Sequence, residues 1–309
     1  MATYNGASYV LEQLDSIRLQ SVPVDAVYLA DDGSEDRTVD MVREWIALHH
    51  LNSWEIRVNP GNLGYPRNFM HLISRAVREG ADYIFLADQD DIWLPGKVEQ
   101  MLASVRRFPE TRLLCSDLEP FYSDRSASHY GLARLRWGAR PFLRFSAQWI
   151  WALRPGCTFL LESGFAREAV DLWERPDADV SIFAHDTFLW ALAHLEKRIA
   201  CIPHVTMRYR RHESNNSGTV SLLDRHQRLD DIRLAILKMA FFRSRIETPE
   251  SGFIDRQKRF FQRRLEYLSR GRSAWLRLMA DGLLHLNLYV RKRHYLSDLY
   301  VCVKYKEKI

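Results

Sequence analysis

The first part of the chain alternates between short apolar runs and segments whose apolar positions recur at helical spacing. Short apolar runs bounded by turn residues indicate strands, and recurrence at three and four positions indicates amphipathic helices. Helical spacing is found in three sets, namely Val39, Val42 and Ile46; Phe69, Leu72, Ile73, Ala76 and Val77; and Val98, Met101, Leu102 and Val105. The strand-like runs are Asp25–Ala30, Trp54–Val58, Tyr83–Ala87 and Arg112–Asp117. This alternation predicts an α/β fold with a mainly parallel sheet flanked by helices.

The pattern changes further along the chain. Gly156–Glu162 predicts another strand, Phe183–Leu195 predicts a helix with Asp186 near its start, and Arg208–Gly218 reads as a polar loop. From Leu222 onward the sequence is mostly helical in period and rich in basic residues. We therefore predict two parts, an α/β domain over residues 1–221 and a helical, basic C-terminal region over residues 222–309.

Carboxylates follow two of the predicted strands at the point where each strand ends. Asp31 and Asp32 come after the first run, and Asp88, Asp90 and Asp91 come after the third. Ligands of open α/β sheets bind beyond the carboxyl ends of the strands, so we expect both clusters at one rim. Like charges this close resist burial unless water or a cation compensates them. A solvated loop in which Asp91 caps the next helix is the alternative.

A divalent cation would account for the second cluster. Mg²⁺ and Mn²⁺ prefer hard oxygen ligands and keep positions open for the oxygens of a substrate. The segments Thr3–Gly6 and Ala30–Thr38 are turn signals that would line the same rim. There Asp31 or Asp32 could accept a hydrogen bond from a base or a ribose, and Tyr4 could stack on the base.

Composition and charge exclude some classes of protein for this chain. The chain has 309 residues, is 47% hydrophobic and 27% charged, and contains no apolar stretch of membrane-spanning length. Its N-terminus carries no signal-peptide pattern, and the four cysteines form no CxxC pair, which favours a reduced cytoplasmic protein without zinc. Charge is uneven: residues 222–309 contain 20 Lys and Arg against 10 Asp and Glu, a net +10, whereas the preceding part is −5.

The motifs, taken together and in order, resemble a known family. The sequence reads MATYNG, LADDGSEDRT, NLGYPRNF, FLADQDDIWLPGKV, GCTFLLE, HDTFLW and YRRH. This order resembles the family-2 inverting glycosyltransferases of the GT-A fold, and within them the rhamnosyltransferase-like branch. The resemblance covers residues 1 to about 218.

The resemblance implies roles residue by residue. It implies a metal pair, Asp88 and Asp90, with Asp90 as direct ligand of Mg²⁺ or Mn²⁺, and a catalytic base, Asp186. It implies contacts to the nucleotide-sugar from Thr3, Tyr4, Asn5, Asp31, Asp32, Asn62, Gly64, Arg67, Asn68, Asp88, Arg211 and His212. It implies an acceptor site formed by Gly156, Cys157, Thr158 and Trp190. On residue type alone, Asp186 could equally be a helix cap, and His212 a solvated loop residue.

The implied reaction suits these residue types. Inverting transfer is one in-line displacement at the anomeric carbon, so it needs a general base and a Lewis acid that helps the nucleoside diphosphate depart. The branch implies rhamnose from a dTDP donor and a cell-surface polysaccharide or lipid-linked glycan as acceptor. Two departures from the family are visible: only Met1 and Ala2 stand in place of a full first strand, and the loop reads RRHES.

The basic C-terminal region has three interpretations. It contains Arg256–Arg264 and Arg291–Tyr295, with apolar residues such as Phe260, Trp275 and Leu276 between the cations. A solvated helical face is the default, and nucleic-acid binding would be expected to bring a recognisable motif, which is absent from the sequence. Basic amphipathic helices lie on anionic membranes. We favour peripheral attachment at the inner face of the cytoplasmic membrane and no nucleic-acid partner.

Three other functions fit parts of the sequence. A sugar-phosphate nucleotidylyltransferase would need a Gly-rich, basic loop after the first strand, and Thr3–Val10 lacks one. A non-catalytic nucleic-acid-binding protein would retain binding after Asp90→Asn and show steep salt dependence. A glycosyltransferase made inactive by its short first strand is the third.

Overall fold

A computed structural model describes residues 1–123, 143–212 and 223–304. Its first part alternates strands and helices as the hydrophobic pattern predicts. The elements are β1 (Ala2–Thr3), α1 (Val10–Arg18), β2 (Val27–Asp31), α2 (Thr38–Leu48), β3 (Trp54–Val58), α3 (Tyr65–Arg78) and β4 (Tyr83–Phe85). They continue with β5 (Ile92–Trp93), α4 (Lys97–Arg107), β6 (Leu113–Tyr122), β7 (Phe159–Glu162), α5 (Ser163–Trp173), α6 (His185–Leu195) and β8 (Ile199–Arg211).

The C-terminal region is helical, as its sequence period indicates. It contains α7 (Arg225–Arg245), α8 (Ser251–Arg270), α9 (Trp275–Leu284) and α10 (Lys292–Lys304). Phe241 and Phe242 of α7 pack against Phe183 and Phe188 around the start of α6, with ring centroids 5.0–6.2 Å apart. The helical region therefore shares a hydrophobic core with the α/β part. Most of the segment around the predicted boundary at residue 221 lies outside the described residues, so that boundary stays a prediction.

Two sets of strands form the sheet. β1, β2 and β3 pair in parallel, and the remaining strands follow the order β4-β7-β6-β8-β5. A parallel bridge between Ala2 and Asp88 connects the two sets beside the end of β4. In the second set only β6 and β8 are parallel, whereas β4 with β7, β6 with β7 and β5 with β8 are antiparallel. The predicted α/β class is confirmed, and the sheet also contains antiparallel pairs in its second set.

Three local predictions are corrected by the structure. Gly156–Thr158 forms a 3₁₀ turn ahead of β7 and is not part of the strand. The strand predicted over Tyr83–Ala87 is β4, and it ends at Phe85, before the end of the apolar run. Arg208–Arg211 belongs to the end of β8 and not to a loop, because β8 stays paired with β6 up to Arg211, opposite Tyr122. Residues 213–218 of that predicted loop lie outside the described residues.

Strand β1 is short, yet it reaches the rim of the sheet. Ala2 pairs with Ala30, and Thr3 pairs with Asp31. On the other side of β1 from the rim, a cavity of about 600 Å³ lies between β2 and β4 and is lined in part by Tyr28 and Phe85. The rim is thus formed although the strand before it has only two residues.

Candidate active site

Asp31 is held in place by hydrogen bonds from its own turn. Its carboxylate accepts from the hydroxyls of Thr3 at 2.8 Å and Ser34 at 2.6 Å, and from the backbone N–H groups of Gly33 and Ser34. The side chain is completely buried. Gly33 has φ +88°, a left-handed conformation that glycine adopts without steric cost. Asp31 therefore ties β1 to the turn after β2 and presents no carboxylate oxygen to solvent.

Asp32 organises the second turn of the rim. Its carboxylate accepts from the N–H groups of Leu63 and Gly64, both at 2.8 Å, and from the side-chain amide of Asn59 at 3.0 Å. The side-chain oxygen of Asn62 also accepts from the Gly64 N–H at 3.0 Å. The turn before α3 is thus built around the carboxylate of Asp32, the residue that follows β2.

Asn68 extends this network into α3. It is buried, donates to the carbonyl of Ala30 at 2.8 Å and accepts from Asn59 at 3.1 Å. Asn62, Gly64 and Asn68 are therefore brought together with Asp32, as predicted. Arg67 lies on the exposed side of the same helix start, and no ion pair of its side chain is recorded among the described residues.

Gln89 joins the two acidic clusters. Its amide accepts from the Tyr4 N–H and donates to the Tyr4 carbonyl, both at 2.9 Å. A Cβ at Gly6 would lie 2.1 Å from the Gln89 amide oxygen, so only glycine permits this contact. Asn5 has φ +47° and accepts from the Glu35 N–H at 2.9 Å. Tyr4 is left 48% exposed, which suits a side chain that stacks on a ligand.

The three carboxylates of the second cluster have three different environments. Asp91 is fully buried, and it accepts from the backbone N–H of Arg210 at 3.0 Å. Burial and the neighbouring charges of Asp88 and Asp90 raise the pKa of Asp91 well above its ordinary value. Asp91 anchors β8 beneath the rim, and it does not cap α4, which begins at Lys97 without a side-chain cap.

Asp90 pairs with His212. Its carboxylate lies 2.7 Å from Nε2 of His212, and both side chains are about 15% exposed. The imidazole stacks on Tyr9, with ring centroids 5.0 Å apart. Arg210 donates to the Asp90 carbonyl at 2.7 Å and also pairs with Glu12. The end of β8 therefore closes over Asp90, which brings the predicted residue His212 to the predicted metal pair.

Asp88 lies near enough to Asp186 for the two charges to interact. Burial, then the charge of Asp90, and then that of Asp186 raise the pKa of Asp88 from 3.8 to about 7. Burial and the charges of Asp186 and Asp88 also raise the pKa of the Tyr65 hydroxyl at the start of α3. Charges act this strongly only at short range, so these three groups share one neighbourhood.

Asp186 lies in the first turn of α6, where an acidic side chain is favourable. Its Oδ1 accepts from the Thr187 N–H at 2.6 Å. A Cβ at Gly156 would lie 2.5 Å from Nε2 of His185 and 3.3 Å from Cβ of Asp186. The glycine therefore allows the 3₁₀ turn of the predicted acceptor segment to lie directly against the predicted base.

His185 supports Asp186 from the core side. It is buried and stacks on Phe69 at 4.0 Å between ring centroids, and burial lowers its pKa to about 4. Within the described part of the chain, neither ring nitrogen has a hydrogen-bond partner. The imidazole is therefore neutral near pH 7, and it packs as an aromatic ring.

Three of the predicted acceptor residues are fully buried. Cys157 and Thr158 lie below the rim, where burial raises the pKa of the Cys157 thiol well above its ordinary value. Trp190 lies on α6 with no exposed surface and stacks on Phe159 in the core, with ring centroids 6.1 Å apart. The structure brings Gly156 to Asp186 but does not bring the Trp190 ring to an open surface, because its position on α6 faces inward.

Two buried lysines at the site were not identified as site residues from the sequence. Lys97 donates to the Cys157 carbonyl at 2.9 Å, and burial lowers its pKa to about 8, against the nearby charges of Asp91 and Asp88. Lys97 belongs to the motif DIWLPGK, which was the available signal. Lys238 of α7 lies 5.6 Å from the ring of Phe183, and burial lowers its pKa to about 8 against the charge of Asp186. No local pattern marks Lys238.

Two sets of side chains are candidate ligands for a divalent cation. Asp88, Asp91 and Cys157 have ligand atoms within 4.8 Å of one another. A protonated thiol and a buried carboxylate held by Arg210 suit Mg²⁺ or Mn²⁺ poorly, because both ions prefer charged oxygen ligands. Asp88 and Asp90 are half-buried carboxylates, the ligand type that such an ion prefers, and His212 lies beside Asp90.

Comparison with solved structures identifies the class of fold. Crystal structures of TarS 1-349 from S. aureus with UDP-GlcNAc and of the mannosyltransferase PcManGT from Pyrobaculum calidifontis with GDP-Man and Mn²⁺ have TM-scores of 0.58 and 0.54 to this chain. Each is 15% identical; TarS matches over 97% of this chain and 88% of its own, and PcManGT over 98% and 84%. The chain therefore has the GT-A glycosyltransferase fold.

The sequence comparisons identify the family. The model of glycosyl transferase family 2 matches residues 1–166, more than half of the chain, so this protein belongs to that family and is a glycosyltransferase. It is also 29% identical over 237 residues to the dTDP-rhamnosyl transferase RfbG of Shigella flexneri, which covers 75% of this chain and 79% of that protein. The predicted resemblance to family 2 and its rhamnosyltransferase-like branch is confirmed.

Proposed function

We propose that this glycosyltransferase moves a sugar from a nucleoside-diphospho-sugar to an acceptor hydroxyl with inversion, using Asp186 as general base. The observation that carries the proposal is the position of Asp186, which lies near Asp88 on one side and against Gly156 on the other. Asp88 comes from the donor side of the rim, and Gly156 comes from the segment implied to hold the acceptor. The two substrates would meet between them, with the carboxylate of Asp186 beside the acceptor.

The reaction is a single displacement. The acceptor oxygen forms a bond to the anomeric carbon while the bond from that carbon to the diphosphate oxygen breaks, and the electron pair leaves with the nucleoside diphosphate. Asp186 takes the proton of the acceptor hydroxyl, which a general base must do as the oxygen becomes a nucleophile. One of its oxygens is already fixed by the Thr187 N–H, which orients the other.

Asp88, Asp90 and His212 would hold Mg²⁺ or Mn²⁺ on the donor side. When bound, the ion supplies positive charge to the departing diphosphate. An imidazole ligand favours Mn²⁺ over Mg²⁺, because Mg²⁺ prefers oxygen ligands. Arg67, exposed at the start of α3, and Arg211, buried at the end of β8, would add guanidinium groups, which bind phosphate oxygens in a bidentate manner.

On the nucleotide side, we propose that the base stacks on Tyr4, whose ring is exposed beside Asn5 and Thr3. The turn held by Asp31, Gly33–Ser34, and the turn held by Asp32, Asn62–Gly64, would border the nucleotide. Their carboxylates are occupied by protein donors, so their influence on the nucleotide would be exerted mainly through these turns.

The donor and acceptor are assigned by similarity. The name of the Shigella flexneri relative, a dTDP-rhamnosyl transferase, supports dTDP-rhamnose as donor for this chain as well. We propose a cell-surface polysaccharide or lipid-linked glycan as acceptor, with the enzyme at the inner face of the cytoplasmic membrane. In the described part of the chain, no helix combines the length and apolar character needed to cross a bilayer.

The proposal is tested with purified full-length protein. A thermal-shift panel of dTDP, UDP and GDP with and without Mn²⁺ should show metal-dependent stabilisation that is largest for dTDP. Asp186→Asn should keep this stabilisation and lose about 10²- to 10⁴-fold in transfer rate. Asp171→Asn, an exposed aspartate of α5, is the matched control and should behave as wild type. No response to any nucleotide, or full activity of Asp186→Asn, would contradict the proposal.

A further inference from the structure

The outer face of α9 is apolar although it faces solvent. Leu276, Leu283 and Leu284 are 67%, 61% and 79% exposed, and Met279 is 37% exposed. Their spacing places them on the side of the helix opposite Leu278 and Gly282, which are buried. Single exposed leucines are ordinary on protein surfaces, but a contiguous apolar face indicates a docking surface.

Helix α10 continues this face. Leu296, Tyr300 and Val303 are 66%, 48% and 39% exposed and recur at helical spacing. The Tyr295 hydroxyl donates to the Met279 carbonyl at 2.8 Å, which holds α10 beside α9. The buried sides of both helices, with Leu278 and Val301, face the hydrophobic core, and their exposed sides face solvent. We call the seven exposed apolar residues of these two helices, namely Leu276, Met279, Leu283, Leu284, Leu296, Tyr300 and Val303, the α9–α10 face.

Cations surround the α9–α10 face. Arg272 and Arg277 flank its α9 part, and Lys292 and Arg293 begin α10. All four are exposed, and among the described residues no ion pair involves any of them. The surface therefore combines exposed leucines with uncompensated positive charge, the combination by which amphipathic helices bind anionic bilayers.

We propose that the α9–α10 face docks this protein on an anionic lipid surface, with its leucines in the headgroup region and its cations on the lipid phosphates. The charge argues for lipid over a second copy of the chain, because a two-fold interface would place the same cations opposite one another. The idea rests on the proposed function only in that a lipid-linked acceptor would lie at such a surface.

The direct test is sedimentation of the full-length protein with vesicles of phosphatidylcholine containing phosphatidylglycerol, compared with phosphatidylcholine alone. The protein should sediment with the anionic vesicles only. The triple variant Leu276→Gln, Leu283→Gln and Leu284→Gln should partition about a hundredfold less. The matched control Leu19→Gln with Leu48→Gln changes leucines that are 60% and 72% exposed elsewhere and should bind as wild type.

A second variant separates charge from apolar contact. Arg277→Gln, Lys292→Gln and Arg293→Gln should weaken binding to the anionic vesicles by about fivefold per cation and remove most of its salt dependence. Equal binding of wild type and both variants would overturn the proposal. So would a dimer, seen by light scattering, that the leucine variant abolishes while vesicle binding stays unchanged.

Failure of this inference and failure of the proposed function have different signatures. Each variant is also tested for thermal stabilisation by dTDP with Mn²⁺, which does not involve the α9–α10 face. Normal stabilisation together with unchanged vesicle binding would refute the surface alone. Vesicle binding that depends on the leucines, in a protein that responds to no nucleotide, would refute the function and keep the surface.

Discussion

The two acidic clusters look alike in sequence but differ in what holds them. Asp31 and Asp32 receive their hydrogen bonds from backbone N–H groups and short side chains of adjoining turns. Asp88, Asp90 and Asp91 meet instead other carboxylates, a histidine and a strand from late in the chain. The first cluster therefore acts as a scaffold, whereas the second contains carboxylates that a cation or substrate can still engage.

This difference shows how to read a strand-tip aspartate. When a carboxylate accepts hydrogen bonds from fixed N–H groups, its removal lowers the stability of the folded protein. A carboxylate that is buried and also faces like charge has a raised pKa, as Asp88 does, and a cation would stabilise its ionised form. The first kind should be detected by stability measurements, and the second kind by activity.

The largest effect is expected at Asp90. Asp90→Asn keeps the shape of the side chain but removes the charge that would hold the metal, so kcat should fall on the order of 10³-fold. The melting temperature should change little, because the side chain lies at the rim and not in the core. Steady-state transfer assays with Mn²⁺ and thermal melts measure the two quantities. A large loss of stability with normal activity would show that Asp90 has a structural role, like Asp31 and Asp32.

Asp31→Asn should give the opposite result. An amide cannot accept all the hydrogen bonds from Thr3, Gly33 and Ser34, so the free energy of unfolding should fall by about 2–4 kcal/mol. Urea titration followed by circular dichroism measures it, with Asp171→Asn as control. Unchanged stability combined with lost nucleotide binding would show that Asp31 contacts the ligand directly.

Lys97→Met should have an intermediate effect on stability. It removes the buried ammonium group that binds the Cys157 carbonyl and lies near Asp91, at similar side-chain volume. Leaving a buried carbonyl unpaired costs about 1–3 kcal/mol, which the same urea titration would detect. Stability equal to wild type would mean that water replaces the ammonium group.

The smallest expected effect is a pH dependence that comes from Asp88 of the second cluster. The pKa of Asp88 is raised from 3.8 to about 7, so the folded state holds this proton more firmly than the unfolded state. Its contribution to stability without metal is present below pH 3.8 and is lost as the pH rises through about 7.

The metal response runs in the other direction, because only the ionised carboxylate binds a cation. Mn²⁺ affinity should therefore rise about tenfold per pH unit up to about pH 7 and then level off. Isothermal titration calorimetry at several pH values measures it, and Asp88→Asn should flatten the profile. A flat profile in the wild type would remove Asp88 from the metal site.

The hydrophobic pattern of the sequence was sufficient to predict most of the helices and the positions of the first strands. It also placed the acidic clusters at strand ends, because the carboxyl ends of neighbouring parallel strands share an edge. The motif order further predicted Asp186 and the Gly156 segment to be parts of one site, and the structure places them side by side. These features are local in the sequence, so a single chain displays them.

Only the tertiary structure distinguished the two clusters. Whether a carboxylate is satisfied depends on donors far away in the chain, such as the N–H of Arg210 for Asp91 and the ring of His212 for Asp90. The antiparallel pairs of the sheet and the inward orientation of Trp190 likewise follow from packing between distant segments. Sequence order determines which groups are present, but long-range contacts decide which of them remain free to react, because burial and pairing depend on three-dimensional neighbours.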